Sequence, residues 1–290
     1  MEPPKSPMPP ISSMPPISPI SPISPMSPML PMSPKPFSTE RQDRAGRGGR
    51  ESLLSSWVSL REDAAVVTHL SAPSFAAEQY RALAVQVEER INPIGTWGYA
   101  LTVTSAEESA GKTLTSLNLA LALARGEERR VLLVEADLWR PQISTYLKAQ
   151  DGLEDAERPG LLQVIERSRS LREAVLGLAG TSLDVLTSGA DKAPGDVLSG
   201  RRMSEVLTEM RAAYEIVVID SPPMSLLASA RSLAARSDGS VLVVRAGQSK
   251  RQGIERALQI LGPEKMIGLV FNGARPPRGG YRSYDRSERT

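Results

Sequence analysis

The chain contains no cysteine and only one histidine, His69, among its 290 residues. Without cysteine it can form neither disulfide bonds nor thiolate metal sites. A single histidine outside any His-rich cluster argues against zinc chemistry and against a serine–histidine catalytic triad. Aromatic residues make up 4% of the sequence, so aliphatic side chains must build the core.

The sequence also lacks long apolar segments and a strong net charge. No run approaches the roughly 20 apolar residues of a membrane-spanning helix, and prolines interrupt the amino end too often for a signal peptide. The 35 basic and 33 acidic residues give a net charge of +2, which is too weak to indicate nucleic-acid binding. We therefore expect a cytoplasmic protein that does not bind nucleic acid.

Composition divides the chain into three parts. Residues 1–51 are a Pro-, Ser- and Met-rich segment followed by a charged linker, and we expect disorder there because proline fixes φ and removes a backbone donor. Residues 52–274 should form the folded domain. Residues 275–290 are basic and contain Tyr281 and Tyr284, and we expect them to form a flexible tail.

The segment 99–120 has the strand–loop–helix pattern of a phosphate-binding loop. Residues 106–113 match the Walker A pattern except that Ala106 replaces its first glycine. Backbone N–H groups at a helix N-terminus can bind phosphate oxygens. Lys112 would reach the outer phosphates and the Thr113 hydroxyl would bind Mg²⁺. Taken alone, this stretch could also be an ordinary strand-to-helix turn.

Carboxylates follow two further apolar runs. Glu135 and Asp137 come after residues 131–134, and Asp220 comes after residues 216–219. Ligands of open α/β sheets bind beyond the carboxyl ends of the strands. We expect Glu135 and Asp137, two residues apart, to point from the same side, where they could hold Mg²⁺ and accept a proton; a chance acidic turn is the alternative. Asp220 has the Walker B position and would act on Mg²⁺ through a coordinated water.

Apolar runs alternate with helical patterns along the chain, which predicts a doubly wound α/β domain with a mostly parallel sheet. The predicted strands are 99–103, 131–134, 183–186, 216–219, 240–244 and 266–271. The predicted helices are 74–92, 111–124, 196–213 and 251–261, and a further short helix begins at 159–160. Ser74 is the predicted N-cap of the first helix.

The phosphate loop, the Glu135 and Asp137 pair and Asp220 follow one another along the chain, each next to a predicted strand. In this order they resemble the motifs of the bacterial tyrosine kinases of capsular and exopolysaccharide systems, the CpsD/CapB type. This family lies within the deviant-Walker, MinD/ParA-like superfamily of P-loop NTPases. The resemblance covers roughly residues 73–274. Residues 104–113 resemble its Walker A motif, residues 131–141 its Walker A′ motif, and residues 214–223 its Walker B motif.

The resemblance implies an ATP- and Mg²⁺-dependent autokinase that phosphorylates Tyr281 and Tyr284. Its catalytic residues would be Lys112, Glu135, Asp137 and Asp220, with Glu135 as the base. Its nucleotide-binding residues would be Ser109, Ala110, Gly111, Lys112, Thr113, Leu114, Arg245 and Asn272, the last contacting adenine. Its Mg²⁺-binding residues would be Thr113, Asp137 and Asp220.

The resemblance also implies partners. Glu78 and Arg81 lie in a segment similar to the family's subunit-contact helix, so the chain is expected to self-associate, as rings in which one tail enters the next subunit's site. A membrane-spanning polysaccharide co-polymerase of the Wzz/CapA type would activate the kinase at the inner face of the cell membrane. A cognate tyrosine phosphatase would reverse the modification, and the cycle would regulate polysaccharide synthesis and export.

Four departures from the family pattern leave an alternative open. Glu135 and Ser229 stand where the family has Asp, Ala84 replaces the last Arg of the subunit-contact motif, and the tail has two tyrosines rather than a cluster. An ATP-binding pseudokinase that assembles with the co-polymerase is therefore the alternative. A MinD/ParA-like ATPase ranks lower because Glu107 occupies the position of that group's signature lysine.

Overall fold

The structure is a computed structural model. It describes residues 56–61, 66–67, 74–91, 98–125, 129–149, 158–189, 197–225 and 228–274. The two predicted tails, with Tyr281 and Tyr284, lie outside these residues, so the predictions made for them stay predictions. The described residues all belong to one compact unit.

The described residues form a single nine-stranded sheet. Its strands are Trp57–Leu60 (β1), Tyr99–Ser105 (β2), Val131–Glu135 (β3), Leu147–Ala149 (β4), Leu176–Leu178 (β5), Leu183–Leu186 (β6), Ile216–Asp220 (β7), Gly239–Arg245 (β8) and Met266–Asn272 (β9). The spatial order is β4-β1-β5-β6-β3-β7-β2-β8-β9. All neighbours from β6 to β9 are parallel, whereas β1–β4 and β5–β6 are antiparallel.

The six predicted strands are all present, and the prediction of a mostly parallel sheet is confirmed. The central strands β3 and β7 are buried along their whole length, as the continuous apolar runs required. Three strands were not predicted. β1, β4 and β5 have only three or four residues each, too few for a two-residue period to stand out.

Helices cover both faces of the sheet. They are Phe75–Arg90 (α1), Lys112–Leu123 (α2), Leu161–Ile165 (α3), Leu171–Ala174 (α4), Arg201–Ala213 (α5), Ala228–Arg236 (α6) and Arg251–Leu261 (α7). Val131 and Leu133 of β3 join a core cluster with α1 and α2. Leu132 and Val134 join a separate cluster with α3, α4 and α5. Alternate residues of one strand thus face different helical layers, and the doubly wound architecture is confirmed.

Helix α1 begins as the sequence predicted. The Ser74 Oγ accepts a hydrogen bond from the Ala77 N–H at 3.1 Å, which is the expected N-cap contact. Helix α6 was not predicted. Within the described parts of the chain, no helix combines the length and the apolar character needed to cross a membrane.

Candidate active site

The loop between β2 and α2 has the backbone conformation of a phosphate-binding loop. Ser109 and Gly111 have positive φ angles of 57° and 91°, and left-handed residues of this kind are typical of the backbone nests that bind anions. A Cβ on Gly111 would lie 2.1 Å from the Asn272 Nδ2, so glycine is required for space as well as for conformation. Ala106 is buried and does not have positive φ, so this position does not require the missing glycine.

Helix α2 begins at this loop without a side-chain cap. Its N-cap residue, Gly111, offers no side-chain acceptor, and the first N–H groups of a helix have no acceptor within the helix. They are therefore available to an anion, which the helix dipole also favours. The Asn272 Nδ2 donates to the Ala110 carbonyl oxygen at 2.9 Å, which joins the loop to the end of β9.

Lys112 contacts the carboxylate of Asp137, which follows β3. The Lys112 Nζ lies 2.9 Å from the Asp137 Oδ2, and the side chains are only 11% and 5% exposed. Two hydrogen bonds hold the turn after Asp137, since the Arg140 N–H donates to the Asp137 carbonyl oxygen at 3.2 Å and to its Oδ1 at 3.3 Å. The structure thus brings the loop lysine and one A′ carboxylate into direct contact.

Asp220 ends β7 with one oxygen unpaired. Its Oδ1 accepts a hydrogen bond from the Ser116 Oγ at 3.1 Å, whereas its Oδ2 is buried without a hydrogen-bond partner. Burial raises the pKa of Asp220 to about 7, and the charge of Lys112 acts in the opposite direction. A buried carboxylate oxygen without a partner is one that a cation or its bound water would satisfy.

The residues present fit a Mg²⁺ ion that binds together with a nucleotide. No group of three or more His, Cys, Asp or Glu side chains suited to a metal occurs in the part of the chain that the structure describes. Mg²⁺ usually takes one or two carboxylates together with substrate phosphates rather than an all-protein cage. Asp137 and Asp220 with the Thr113 hydroxyl match that requirement.

Glu135 and Asp137 contact different groups, so the structure does not bring the two carboxylates together as the sequence predicted. The Glu135 Oε1 accepts hydrogen bonds from the Gln142 and Ile143 N–H groups, both at 2.5 Å, and its Oε2 accepts one from the Ser188 N–H at 3.0 Å. Strand β3 ends at Glu135, so the two-residue alternation of side chains does not continue to Asp137.

Backbone N–H groups engage both oxygens of the Glu135 carboxylate. The side chain is fully buried, and it does not line the cleft. Burial raises the pKa of Glu135, and its hydrogen bonds from backbone N–H groups act in the opposite direction. The carboxylate therefore holds the segment after β3 against the segment after β6.

A cleft of about 700 Å³ opens between the loop and the segment after β3, a size typical of small-ligand sites. Eight of the predicted site residues line it: Ser109, Gly111, Lys112, Thr113, Leu114, Asp137, Arg245 and Asn272. Ala110, Glu135 and Asp220 do not line it, and all three are buried.

Six further lining residues were missed by the sequence analysis: Glu108, Trp139, Arg140, Gln142, Tyr146 and Pro223. Four of them follow Asp137 within nine residues. The available signal was their position just beyond a strand end, because this is where ligands bind in open α/β sheets.

The predicted subunit-contact residues lie on helix α1, away from the cleft lining. The Arg81 Nη1 lies 2.5 Å from the Glu78 Oε2, and the side chains are 29% and 55% exposed. Ala84, which replaces the motif's last arginine, is buried in the core beneath α1. An arginine there would place a charge among apolar side chains, which is costly. The contact role of Glu78 and Arg81 stays a prediction.

Comparison with known proteins identifies the family. A family model described as an AAA domain matches residues 101–263. The tyrosine-protein kinase YwqD of Bacillus subtilis (strain 168) is 32% identical over 211 residues, which cover 72% of this chain and 85% of that protein. The tyrosine-protein kinase CpsD of Streptococcus agalactiae is 28% identical over 195 residues, 65% of this chain and 82% of that protein.

The solved kinase domain of the Escherichia coli tyrosine kinase ETK has the same fold. It superimposes with a TM-score of 0.64 at 22% identity, over 81% of this chain and 95% of that one. The family-model match at residues 101–263 includes the phosphate loop, Glu135, Asp137 and Asp220, and the resemblance drawn from the motifs is confirmed. The chain therefore belongs to the bacterial tyrosine-protein kinase family of CpsD and YwqD.

Proposed function

We propose that this protein is an ATP-dependent tyrosine autokinase that phosphorylates Tyr281 and Tyr284 and so regulates exopolysaccharide or capsule synthesis and export. One observation carries the proposal for the site. The Lys112 Nζ lies 2.9 Å from the Asp137 Oδ2 at the phosphate loop. The side chain that would bind the outer phosphate is therefore next to a carboxylate that could act on the tyrosine hydroxyl.

The nucleotide would lie along the cleft with its phosphates on the loop. The first N–H groups of α2 would bind phosphate oxygens, and Lys112 would bind the outermost phosphate. Arg245 and Asn272, at the ends of β8 and β9, would flank the adenine. This assignment rests on the cleft lining and on the resemblance of β8 and β9 to the family's last two strands.

The Mg²⁺ ion would be held by the Thr113 hydroxyl and by the carboxylates of Asp137 and Asp220. When bound, it would offset the negative charge on the transferred phosphoryl group. The unpaired Asp220 Oδ2 supports this assignment.

The proton acceptor is assigned to Asp137 and not to Glu135. A tyrosine hydroxyl has a pKa near 10, so it must lose its proton as it attacks, and a general base within hydrogen-bond reach serves this purpose. Asp137 lines the cleft beside Lys112, whereas Glu135 is fully buried and does not line the cleft. Glu135 would act as a positioning residue for the segment that carries Asp137.

The test is phosphotyrosine formation by the purified chain with Mg²⁺ and ATP, mapped by mass spectrometry. We expect phosphate on Tyr281 or Tyr284, and none in Lys112→Met or Asp137→Asn. Glu135→Asp, which keeps a carboxylate, is the matched control and should retain activity. ATP binding without phosphotyrosine, with and without the cytoplasmic peptide of the co-polymerase, would overturn the proposal in favour of a pseudokinase.

The proposal extends to location and partners through family membership. The kinase would work at the inner face of the membrane, docked on a membrane-spanning co-polymerase that switches it on. Copies of the chain would associate through α1, with Glu78 and Arg81 at the contact, and a tyrosine phosphatase would reset the tail. Charge reversal of both residues, followed by light scattering, tests the self-association.

A further inference from the structure

Trp139 is an exposed aromatic residue at the mouth of the cleft. Among the described residues, the large apolar side chains exposed to solvent are Val85, Trp139, Leu269 and Phe271, and Trp139 is the most exposed at 59%. Of these four, Trp139 is the one that lines the cleft. Exposed tryptophans are enriched at binding surfaces because the ring supplies a large contact area with few rotatable bonds.

Arg140, the residue after Trp139, contacts the start of the turn that carries Trp139 and also the phosphate loop. On one side the Arg140 N–H donates to Asp137, as described above. On the other side the Arg140 Nη1 lies 2.5 Å from the Glu108 Oε2 of the phosphate loop. These contacts of Arg140 hold the backbone next to Trp139 close to both Asp137 and the phosphate loop.

The sheet order indicates which end of the cleft Trp139 occupies. Strand β3 lies two strands from β2 on one side, and β9, which bears Asn272, lies two strands from β2 on the other. Neighbouring strands are about 4.8 Å apart, so β3 and β9 are separated by roughly 19 Å. Lys112 turns toward β3, where it meets Asp137. The outer phosphate end of the cleft is therefore the β3 end, and Trp139 lies beyond it.

We propose that Trp139 recognises the phosphoacceptor by stacking its indole on the tyrosine ring. This inference rests on the proposed function and adds the residue that selects the acceptor. In the transfer, the tyrosine oxygen bonds to the γ-phosphorus, the bond from that phosphorus to the β-phosphate oxygen breaks, and the tyrosine proton passes to Asp137. An indole beyond Asp137 orients the ring so that its hydroxyl faces the phosphate, and serine or threonine offers no ring to stack.

The chain itself carries acceptors that can reach this position. Tyr281 follows Asn272 by nine residues, and nine extended residues span up to about 30 Å. That length exceeds the separation of β9 from β3. The tail of the same chain, or that of a neighbouring copy, can therefore supply the ring.

The test separates acceptor binding from nucleotide binding. The kinase is the full chain with both tail tyrosines changed to Ala, so that its own tail offers no ring to the indole, and the acceptor is a synthetic peptide of residues 275–290. Loss of one aromatic stacking partner should raise the peptide KM about 3- to 10-fold in Trp139→Ala. The Kd for ATP should stay unchanged, and Trp139→Phe should restore most of the peptide KM. Phe271→Ala, which removes a similarly exposed aromatic ring outside the cleft, is the matched control.

Binding of the same peptide is also measured by calorimetry, with a non-hydrolysable ATP analogue bound to the kinase. Weaker peptide binding in Trp139→Ala supports the inference, whether or not the wild-type chain transfers phosphate. If the wild-type chain transfers none, the proposed function is refuted and the inference about Trp139 is not. Transfer with an unchanged peptide KM in Trp139→Ala overturns the inference and leaves the proposed function standing. A weaker ATP Kd with an unchanged peptide KM also overturns it, because the indole would then stack on adenine.

Discussion

Asp220→Asn should stabilise the nucleotide-free protein while it destroys Mg²⁺-dependent function. The Asp220 Oδ1 accepts one hydrogen bond from Ser116, which the asparagine oxygen can also accept. The Oδ2 has no partner within hydrogen-bond distance, and the Lys112 charge and the Thr113 hydroxyl, which favour the carboxylate, only partly offset the effect of burial on its pKa. The substitution therefore deletes a buried charge at little cost in hydrogen bonds.

The magnitude follows from the raised pKa of Asp220. Its pKa rises from 3.8 to about 7 because of burial, and each pKa unit corresponds to about 1.4 kcal/mol. The ionised carboxylate thus lowers the free energy of unfolding by about 4 kcal/mol. In the variant, a buried amide N–H without an acceptor destabilises the folded state by about 1–3 kcal/mol, which offsets part of this gain. We expect a net gain of about 2 kcal/mol, or roughly 4–8 °C in Tm for a domain of this size.

The pH dependence of this effect has a definite sign. Between pH 4 and pH 7 the folded state keeps the Asp220 proton that the unfolded state has lost, so this group lowers stability as the pH rises through that window. Above pH 7 the contribution is constant. Because asparagine does not titrate, the Tm difference between variant and wild type should grow from pH 5 to about pH 7 and then level off.

The assay is scanning calorimetry in EDTA from pH 5 to pH 8, repeated with ATP and with Mg²⁺·ATP. Wild type should gain more stability from Mg²⁺·ATP than from ATP alone, and the variant should lose that increment. Asp238→Asn is the control with the opposite sign, because Asp238 pairs with Arg211 at 2.7 Å and accepts the Ala100 N–H at 2.8 Å. A variant less stable than wild type at pH 7.5 in EDTA would refute the reasoning.

Three further substitutions test the other parts of the site. Glu135→Ala leaves three backbone N–H groups without this acceptor, and two of these hydrogen bonds are fully buried, so it should lower the free energy of unfolding by about 2–5 kcal/mol in urea titration; an unchanged midpoint would contradict the positioning role. Lys112→Met should abolish ATP binding in calorimetry, and undiminished binding would refute the phosphate-loop assignment. Gly111→Ala forces a Cβ to within 2.1 Å of the Asn272 Nδ2 at a φ of +91° and should weaken ATP affinity at least tenfold; an unchanged Kd would mean that the loop relaxes freely.

Most of the fold was accessible from the sequence because its signals are local. The central strands are continuous apolar runs, which only burial on both faces explains, and the N-cap of α1 needs a hydroxyl three residues before its donor. The phosphate loop was recognisable for the same reason. Its glycine, lysine and threonine adjoin one another, and the helix start that makes them useful follows directly.

The sequence by itself therefore determined six of the nine strands, the loop and the carboxylates that end β3 and β7. Only the tertiary structure decided which groups each carboxylate contacts. Asp137 meets Lys112, 25 positions earlier in the chain, and Glu135 meets Ser188, 53 positions later. The direction of a side chain after a strand ends depends on such distant partners, because the alternation that predicts it stops with the strand. The exposure of Trp139 was likewise set by which segments surround it, and no local pattern encodes that.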